Sequence, residues 1–431
     1  MTKAKSYAIS KQVVWEAYKR VKANRGAAGV DGESLAAFEQ DLKNNLYKIW
    51  NRMSSGSYFP PPVRLVEIPK GNTGKTRPLG IPTVSDRIAQ TVVKMYFEPQ
   101  VEPYFHPDSY GYRPGKSALE AVGVTRQRCW RQDWVIDLDI KGFFDNLDHA
   151  LVMRAVRHHT QVPWILLYVE RWLKAPVQRE DGTLEERTKG SPQGSVVSPL
   201  LANLFLHYAF DEWMRRHYPH IQFARYADDT VIHAKSLSQA EHVLEAVRER
   251  LQQCGLELHP EKTKIVYCKD DDRRGTHDSS TFDFLGYTFR PRRAKNRWGK
   301  PFVSFLPAVS PKAANSIRAT IRSWRLGATR NNQSLEEIAD FVNPYVRGWV
   351  NYYGRYYCSA LTPVLRCLER SLVYWARRKY KRLRCHQRRA AHWLGRIARR
   401  EPRLFVLWQL GICPAAGQQE PDEPRGSRPV P

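Results

Sequence analysis

The chain has 431 residues, of which 42% are hydrophobic and 12% aromatic, so it can form two or three folded domains and global disorder is excluded. No apolar run approaches the roughly 18 residues of a membrane span, and the first residues lack the apolar core of a signal peptide. The net charge of +26 indicates a polyanionic partner, and nucleic acid is the first candidate.

The first part of the chain, 1–290, mixes short β-branched runs with amphipathic helical stretches, which is typical of an α+β domain. The segment 134–145 begins as a strand with acids at alternate positions, Asp137 and Asp139, and ends in a glycine turn. The segment 223–233 predicts a hairpin whose tight turn is the pair Asp228-Asp229.

A polar, basic and unpatterned stretch follows, and we interpret 291–310 as a connection between two domains. The block 311–410 contains 21 Lys and Arg against five acids and reads as helical. Helix starts are predicted at Ser334 with a capping box, at Asn343-Pro344 and at Thr362-Pro363. The last 21 residues, 411–431, should be disordered.

The helix that begins at Thr362 has one apolar face and an otherwise nearly all-cationic surface. Such a helix is expected to pack on protein on one side and to face phosphate on the other; a solvated basic face is the alternative. Its cations are Arg366, Arg370, Arg377, Arg378, Lys381 and Arg382.

Adjacent carboxylates at a turn between apolar strands repel each other, and a divalent cation removes that conflict. If the two strands lie side by side, Asp139 joins Asp228 and Asp229 in a set that suits two Mg²⁺ ions. Two such ions serve in-line displacement at a phosphate. The alternative for any one of these acids is a surface turn residue.

The Tyr226-Ala227-Asp228-Asp229 box, with Asp139 upstream, resembles the palm of reverse transcriptases. More narrowly, the chain resembles the reverse transcriptase/maturase of bacterial group II introns, in the compact lineage that lacks an endonuclease. The motifs occur in the expected order, at 27–32, 68–83, 110–115, 190–203, 259–264, 284–287 and 343–349.

The resemblance implies a right-hand polymerase of α+β class, with fingers and an antiparallel palm sheet in 1–290 and an all-α thumb/maturase domain in 311–410. It makes Asp139, Asp228 and Asp229 the catalytic residues and ligands of two Mg²⁺ ions, assisted by the backbone carbonyl of Ile140. It assigns contacts with the incoming nucleotide to Lys70, Arg77, Phe144 and Gln193. It assigns contacts with the template and primer to Arg113, Gly194, Lys262, Phe284, Leu285 and Gly286. Arg347 joins the six cations above as a candidate RNA contact.

Ordinary structural roles are the alternatives for several of these residues. Lys70 and Arg77 could be exposed charges of a loop, and Phe144 could be a core aromatic. Gln193 could belong to an ordinary turn, and the segment 284–286 could be a hairpin turn with core side chains.

The function implied is an RNA-directed DNA polymerase that copies its intron RNA, assists its splicing and supports retrohoming by target-primed reverse transcription. Its partners would be intron RNA, a DNA target or primer and dNTPs, with a possible homodimer, in the bacterial cytoplasm near nucleoid DNA. Three alternatives stay open: a splicing cofactor without polymerase activity, a domesticated relative in repair or defence, and a polymerase that makes RNA.

Overall fold

The computed structural model describes residues 6–69, 76–273, 275–295 and 298–414. The chain forms two compact units, Met1–Tyr267 and Cys268–Pro431. Of the tail predicted to be disordered, residues 415–431 lie outside the described part. The domain boundaries at 290, 310 and 410 stay a prediction.

The first unit combines ten helices and eight strands among its described residues. The helices are α1 (Lys11–Ala23), α2 (Leu35–Gln40), α3 (Leu42–Ser54), α4 (Val84–Val101), α5 (Ala118–Arg131), α6 (His149–His159), α7 (Pro163–Lys174), α8 (Ser198–Leu206), α9 (Glu212–His217) and α10 (Leu237–Gln253). The strands are β1 (Val63–Pro69), β2 (Thr76–Ile81), β3 (Trp134–Leu138), β4 (Val177–Gln178), β5 (Leu184–Glu185), β6 (Gln222–Tyr226), β7 (Asp229–Ala234) and β8 (Lys264–Tyr267). A π-helical turn, His207–Asp211, joins α8 to α9.

Two sheets organise this unit. One is fully antiparallel, in the order β6-β7-β3-β8, and its central strands carry the apolar residues Ile136 and Ile232 into the core. The other, in the order β2-β1-β4-β5, is mixed because β1 pairs parallel with β4. The helix α8 is almost entirely buried in the core, as expected for a segment as apolar as Leu200–Leu206 is.

The second unit begins with a three-stranded sheet and continues as helices. Its strands are β9 (Phe282–Phe284), β10 (Tyr287–Lys295) and β11 (Pro301–Val309). Its helices are α11 (Pro311–Ser323), α12 (Leu326–Thr329), α13 (Leu335–Tyr357), α14 (Thr362–Lys379), α15 (Gln387–Arg400) and α16 (Val406–Gln409). The predicted α+β class followed by a helical region is confirmed.

The interpretation of 291–310 as an unpatterned connection was wrong, because β10 and β11 pair through nine residues there. The apolar start of β10 is anchored by Phe289, whose ring stacks on Phe282 at a centroid distance of 4.6 Å. Backbone pairing with β11 then extends the strand through basic residues that have no apolar alternation. Sequence pattern alone does not show such a strand.

The helix starts at Ser334 and Thr362 are confirmed, including the capping box between Ser334 and Glu337. The start at Asn343 was wrong, because Asn343-Pro344 lies inside α13. The Asn343 side chain does not cap a helix that begins at Pro344: its Nδ2 donates to the carbonyl of Leu404 at 2.8 Å, and its Oδ1 accepts from the amide of Val406, the first residue of α16, at 3.0 Å.

Lys381 and Arg382 lie beyond the end of α14, in a 3₁₀ turn, and so do not belong to the helix to which we assigned them. Within the described part of the chain, no helix is both long and apolar enough to cross a membrane.

Candidate active site

The pairing of β3 with β7 brings two of the predicted carboxylates to neighbouring strand ends. The antiparallel register ends with Leu138 opposite Thr230. Asp139 follows Leu138 directly, and Asp229 is the first residue of β7. The condition on which the predicted site depended, that the two strands lie side by side, is therefore met.

The hairpin between β6 and β7 turns one residue earlier than we predicted. Tyr226 pairs with Asp229, so the turn consists of Ala227 and Asp228 and not of the two aspartates. Asp229 belongs to the strand through its pairing with Tyr226, one residue before the register with β3 begins at Thr230. Ala227 has φ of +56°, a backbone conformation that a side chain with a Cβ adopts only at a cost.

The three carboxylates lie in one another's electric field. Burial, followed by the nearby Asp139 carboxylate, raises the pKa of Asp228 above its usual range, although Arg77 opposes the shift. Burial and the charges of Asp228 and Asp139 raise the pKa of Asp229 to about 6, against the opposing charges of Arg77 and Lys262. Asp229 is crowded by protein atoms and yet open to solvent on one side.

Lys262, predicted to contact template or primer, instead forms an ion pair with Asp139. Its Nζ lies 3.2 Å from Oδ1 and 3.3 Å from Oδ2, and both side chains are partly exposed. Among the residues that the structure describes, no three His, Cys, Asp or Glu side chains are close enough to enclose a metal ion by themselves. The donor chemistry nevertheless fits Mg²⁺, because a cation stabilises the ionised form of acids whose pKa values are raised by burial and by a neighbouring carboxylate.

A buried polar network holds the hairpin turn from behind. Arg225 and Asp211, both fully buried, form an ion pair with an Nη2–Oδ2 distance of 2.5 Å. The Nη1 of Arg225 donates to the carbonyl of Ala227 at 2.9 Å and to Oδ1 of Asn203 at 3.1 Å. Asn203 in turn donates to the carbonyl of Gly111 at 2.6 Å, and a Cβ on Gly111 would lie 2.4 Å from the amide nitrogen of Ala227. The aspartate turn is thus fixed on two sides.

The predicted nucleotide contacts Arg77 and Gln193 lie together. The Nε of Arg77 donates to Oε1 of Gln193, and the amide of Gly80 donates to the Gln193 carbonyl at 2.7 Å. Gly194 has φ of +109°, and a Cβ there would lie 2.6 Å from the carbonyl oxygen of Gly80. The loop therefore packs closely on β2. Lys70 lies outside the described residues.

Phe144 and Ile140 lie close to Asp139 along the chain. The Phe144 side chain is 7% exposed and packs edge-on against Phe143 at a centroid distance of 5.3 Å. That burial is compatible with a core aromatic and with a wall of the nucleotide site, so both interpretations stay open. Ile140 forms a β-bridge with Leu258, which fixes the backbone next to Asp139.

Arg113, predicted to contact the template, is engaged in an ion pair and in hydrogen bonds within the protein. Its guanidinium is buried in an ion pair with Glu102 at 2.7 Å and donates to the carbonyls of His106 and Ser109, both at 2.7 Å. Our prediction of a template contact is not supported by this geometry, because these bonds already engage its donors.

The predicted primer-side residues Phe284, Leu285 and Gly286 belong to the second unit. Leu285 and Gly286 form the two-residue turn between β9 and β10, with φ of +51° and +79°. The hydroxyl of Tyr352 donates to the Leu285 carbonyl at 2.8 Å, so the turn is held on α13.

The seven cations predicted to bind RNA lie on the helical part of the second unit. Six are exposed, and Arg377 is partly buried, with its Nε donating to the carbonyl of Arg384 at 3.3 Å. The exposed ones are Arg347, Arg366, Arg370, Arg378, Lys381 and Arg382.

Sequence analysis missed the Arg225–Asp211 pair. One signal was available: Arg225 and Phe223 are two residues apart on a strand and share a face, and Phe223 is a core residue. A charged residue on a buried face requires a partner. The position of Asp211 could not be deduced, since it depends on the π-helical turn.

The site has three neighbouring aspartates on paired strands and, nearby, an arginine that is hydrogen-bonded to a glutamine. These are the groups that a nucleotidyl-transferring polymerase palm requires. Comparison with known proteins specifies the class. Residues 68–289 match the model of the reverse transcriptase (RNA-dependent DNA polymerase) family, and residues 314–393 match the group II intron maturase-specific domain.

Protein YkfC of Escherichia coli is 32% identical over 353 residues, covering 72% of this chain and 88% of its own length. The group II intron-encoded protein LtrA of Lactococcus lactis is 26% identical over 442 residues, and the match covers 82% of this chain and 70% of LtrA. A putative COX1/OXI3 intron 1 protein of Saccharomyces cerevisiae is 29% identical over 198 residues, and the match covers 46% of this chain and 23% of the yeast protein.

The chain belongs to the reverse transcriptase family, in its group II intron-encoded branch with a maturase domain. It is an RNA-directed DNA polymerase, and the predicted function is confirmed over its rivals.

Proposed function

We propose that Asp139, Asp228 and Asp229 hold two Mg²⁺ ions and that the chain extends a primer 3′ end on an RNA template at this site. The observations that support this most are the β3–β7 pairing and the raised pKa values of Asp228 and Asp229, to which burial and the charge of Asp139 contribute in both cases. When bound, the ions would activate the attacking 3′ oxygen and neutralise the departing pyrophosphate. The Ile140 carbonyl would add a neutral oxygen beside Asp139.

The neighbouring residues orient the reactants. Arg77, held by Gln193, supplies positive charge for the triphosphate, and Lys70 would add a second cation. Lys262 keeps the Asp139 carboxylate in one orientation through its ion pair. Phe144 closes the site next to the sugar of the incoming dNTP and disfavours a 2′-hydroxyl.

On the template and primer side, Gly194 lets backbone approach a base pair, since its position has no room for a side chain. The turn at Phe284, Leu285 and Gly286 contacts the primer. The cations of α13, α14 and the following 3₁₀ turn bind the intron RNA that the chain helps to splice.

As a mobile-intron protein, the chain would copy its intron into a DNA target that also supplies the primer, the reaction of retrohoming. It would reside in the bacterial cytoplasm, and its large positive charge favours association with intron RNA and nucleoid DNA there. A homodimer stays a prediction.

Primer extension on an RNA template with dNTPs and Mg²⁺ tests the proposal, with Asp228→Asn as the variant. We expect loss of cDNA synthesis by at least about a thousandfold, with intron RNA binding and assisted splicing retained. Asp340→Asn removes the same charge from an exposed position of α13 and should polymerise normally. Unchanged synthesis by the Asp228 variant would remove this site from the reaction.

A further inference from the structure

A cleft of about 650 Å³ opens in the first unit between α6, the π-helical turn with α9, and α10. None of the aspartates, and none of the other residues assigned above to the polymerase site, lines it. Its size suits one or two nucleotides. The proposed polymerase reaction therefore does not use this cleft.

The cleft is strongly basic. Arg154, Arg157 and Arg216 line it and are exposed. Its lining contains one acid, Glu212, which accepts two hydrogen bonds from Arg215 at 2.9 and 2.8 Å and also lies 3.7 Å from Nε of Arg216. Within the described ranges, neither Arg154 nor Arg157 forms an ion pair. These guanidinium groups can therefore accept an external anion.

Aromatic side chains form part of the wall. The ring of Trp213, which is partly exposed, stacks on His217 at a centroid distance of 5.2 Å with an interplanar angle of 26°. Tyr208 contacts His158 edge-on at 5.7 Å. Proteins bind single-stranded nucleic acid with this combination of groups: unpaired bases stack on the aromatic rings, and the guanidinium groups neutralise the phosphates.

The floor of the cleft is held in place before any ligand binds. Arg250 donates from Nε to the carbonyl of Ala209 at 3.1 Å and from Nη2 to the carbonyl of Tyr208 at 3.2 Å. It thereby ties α10 to the π-helical turn. Its role is structural, which leaves Arg154 and Arg157 for the ligand, together with Arg216, whose ion pair with Glu212 is long, at 3.7 Å.

We propose that this cleft binds an unpaired segment of the intron RNA, with phosphates on Arg154, Arg157 and Arg216 and a base on Trp213. The inference rests on the proposed function only in taking intron RNA as the ligand. It adds a second contact surface on the polymerase unit, separate from the cations of the helical unit. An acidic protein segment would be attracted by the same charge, but it would gain little from the exposed indole.

Equilibrium binding of intron RNA at several salt concentrations tests the proposal. In the double variant Arg157→Gln/Arg216→Gln, affinity should fall roughly tenfold and the salt slope should decrease by about 1.4, about 0.7 for each lost phosphate contact. Trp213→Leu should weaken binding about fivefold or more without changing the slope, because stacking releases no counterions.

The control double variant Arg131→Gln/Lys235→Gln removes two exposed charges from the same unit outside the cleft and should bind RNA normally. Extension of oligo(dT) on poly(rA) should be unchanged in all variants, and their melting temperatures should show that they fold. Parental RNA affinity and slope in the cleft variants would overturn the proposal, as would equal losses in the control. A parent that fails to extend oligo(dT) would refute the polymerase proposal and not this one.

Discussion

At the proposed metal site, the ionised carboxylate of Asp229 opposes the stability of the metal-free protein. Asp229 has a pKa of about 6 in the folded chain, against about 4 for an unperturbed aspartate. The folded state therefore holds a proton more tightly than the unfolded state does. In the absence of metal, the contribution of Asp229 to stability is greatest at low pH and is lost as the pH rises through about 6.

Asp229→Asn should therefore raise the melting temperature of the metal-free protein at pH 7.5, where the parent carries the repelling charge. The gain should shrink toward pH 4, where Asp229 is protonated. Thermal unfolding in EDTA across this pH range measures both. Saturating Mg²⁺ should stabilise the parent more than the variant, because a ligand stabilises only the state that binds it. A gain that is independent of pH would contradict the role of charge.

Phe144 has two interpretations that a matched pair of variants can separate. If Phe144 excludes the 2′-hydroxyl, Phe144→Val should raise the ratio of ribonucleotide to deoxyribonucleotide incorporation about tenfold or more. Phe143→Val is the control, because Phe143 is equally buried and packs on Phe144. Each change should cost about 1–3 kcal/mol of folding stability through the cavity it leaves. An unchanged ratio in the Phe144 variant would reassign it to the core.

Among the secondary-structure elements, the hairpin β6–β7 depends on the π-helical turn behind it. The turn places Asp211 where it can pair with Arg225, and Arg225 then holds the carbonyl of Ala227. A buried ion pair contributes little net stability compared with apolar side chains of the same size. Its value here is that it fixes the conformation of an unfavourable turn that carries Asp228.

Removing one partner of the Arg225–Asp211 pair should lower the stability of the fold more than replacing both partners does. Asp211→Asn should cost about 3–5 kcal/mol, because Arg225 keeps its charge without a counterion. The double variant Arg225→Met/Asp211→Leu should fold within about 1–2 kcal/mol of the parent. Its primer extension should still fall at least about tenfold, since Ala227 has lost its donor, while RNA binding is kept. Urea unfolding and primer extension measure the two effects, and parental polymerisation by the double variant would refute the positioning role.

The site was predictable where local pattern decides the structure. Alternation identified β3, and the capping box identified the start of α13. Prediction from the sequence failed where contacts between residues distant in the chain determine the local structure. Asn343 looks like a helix cap but binds Leu404 and Val406 instead. The strand β10 continues through basic residues because β11 pairs with it.

On the scale of the whole molecule, positive charge is concentrated in the helical block of the second unit, where 21 Lys and Arg face five acids in 311–410. Like charges at this density destabilise a compact fold unless a polyanion neutralises them. The block also contains residues 314–393, which match the maturase-specific domain. Binding of intron RNA should therefore release many counterions and depend steeply on salt.

Neutralising Arg377, Arg378 and Lys381 to Gln should weaken intron RNA binding and reduce its salt slope by about 2–3, since each phosphate contact contributes about 0.7–0.9. Arg377 is partly tied to the carbonyl of Arg384, so its share should be smaller than that of the exposed Arg378 and Lys381. The charge-conserving variant Arg377→Lys/Arg378→Lys/Lys381→Arg should keep the slope. Filter binding between 50 and 500 mM salt, roughly the range in which such slopes are resolved, measures the difference. A neutralised variant with the parental slope would mean that this face points to solvent and that the charge serves another purpose.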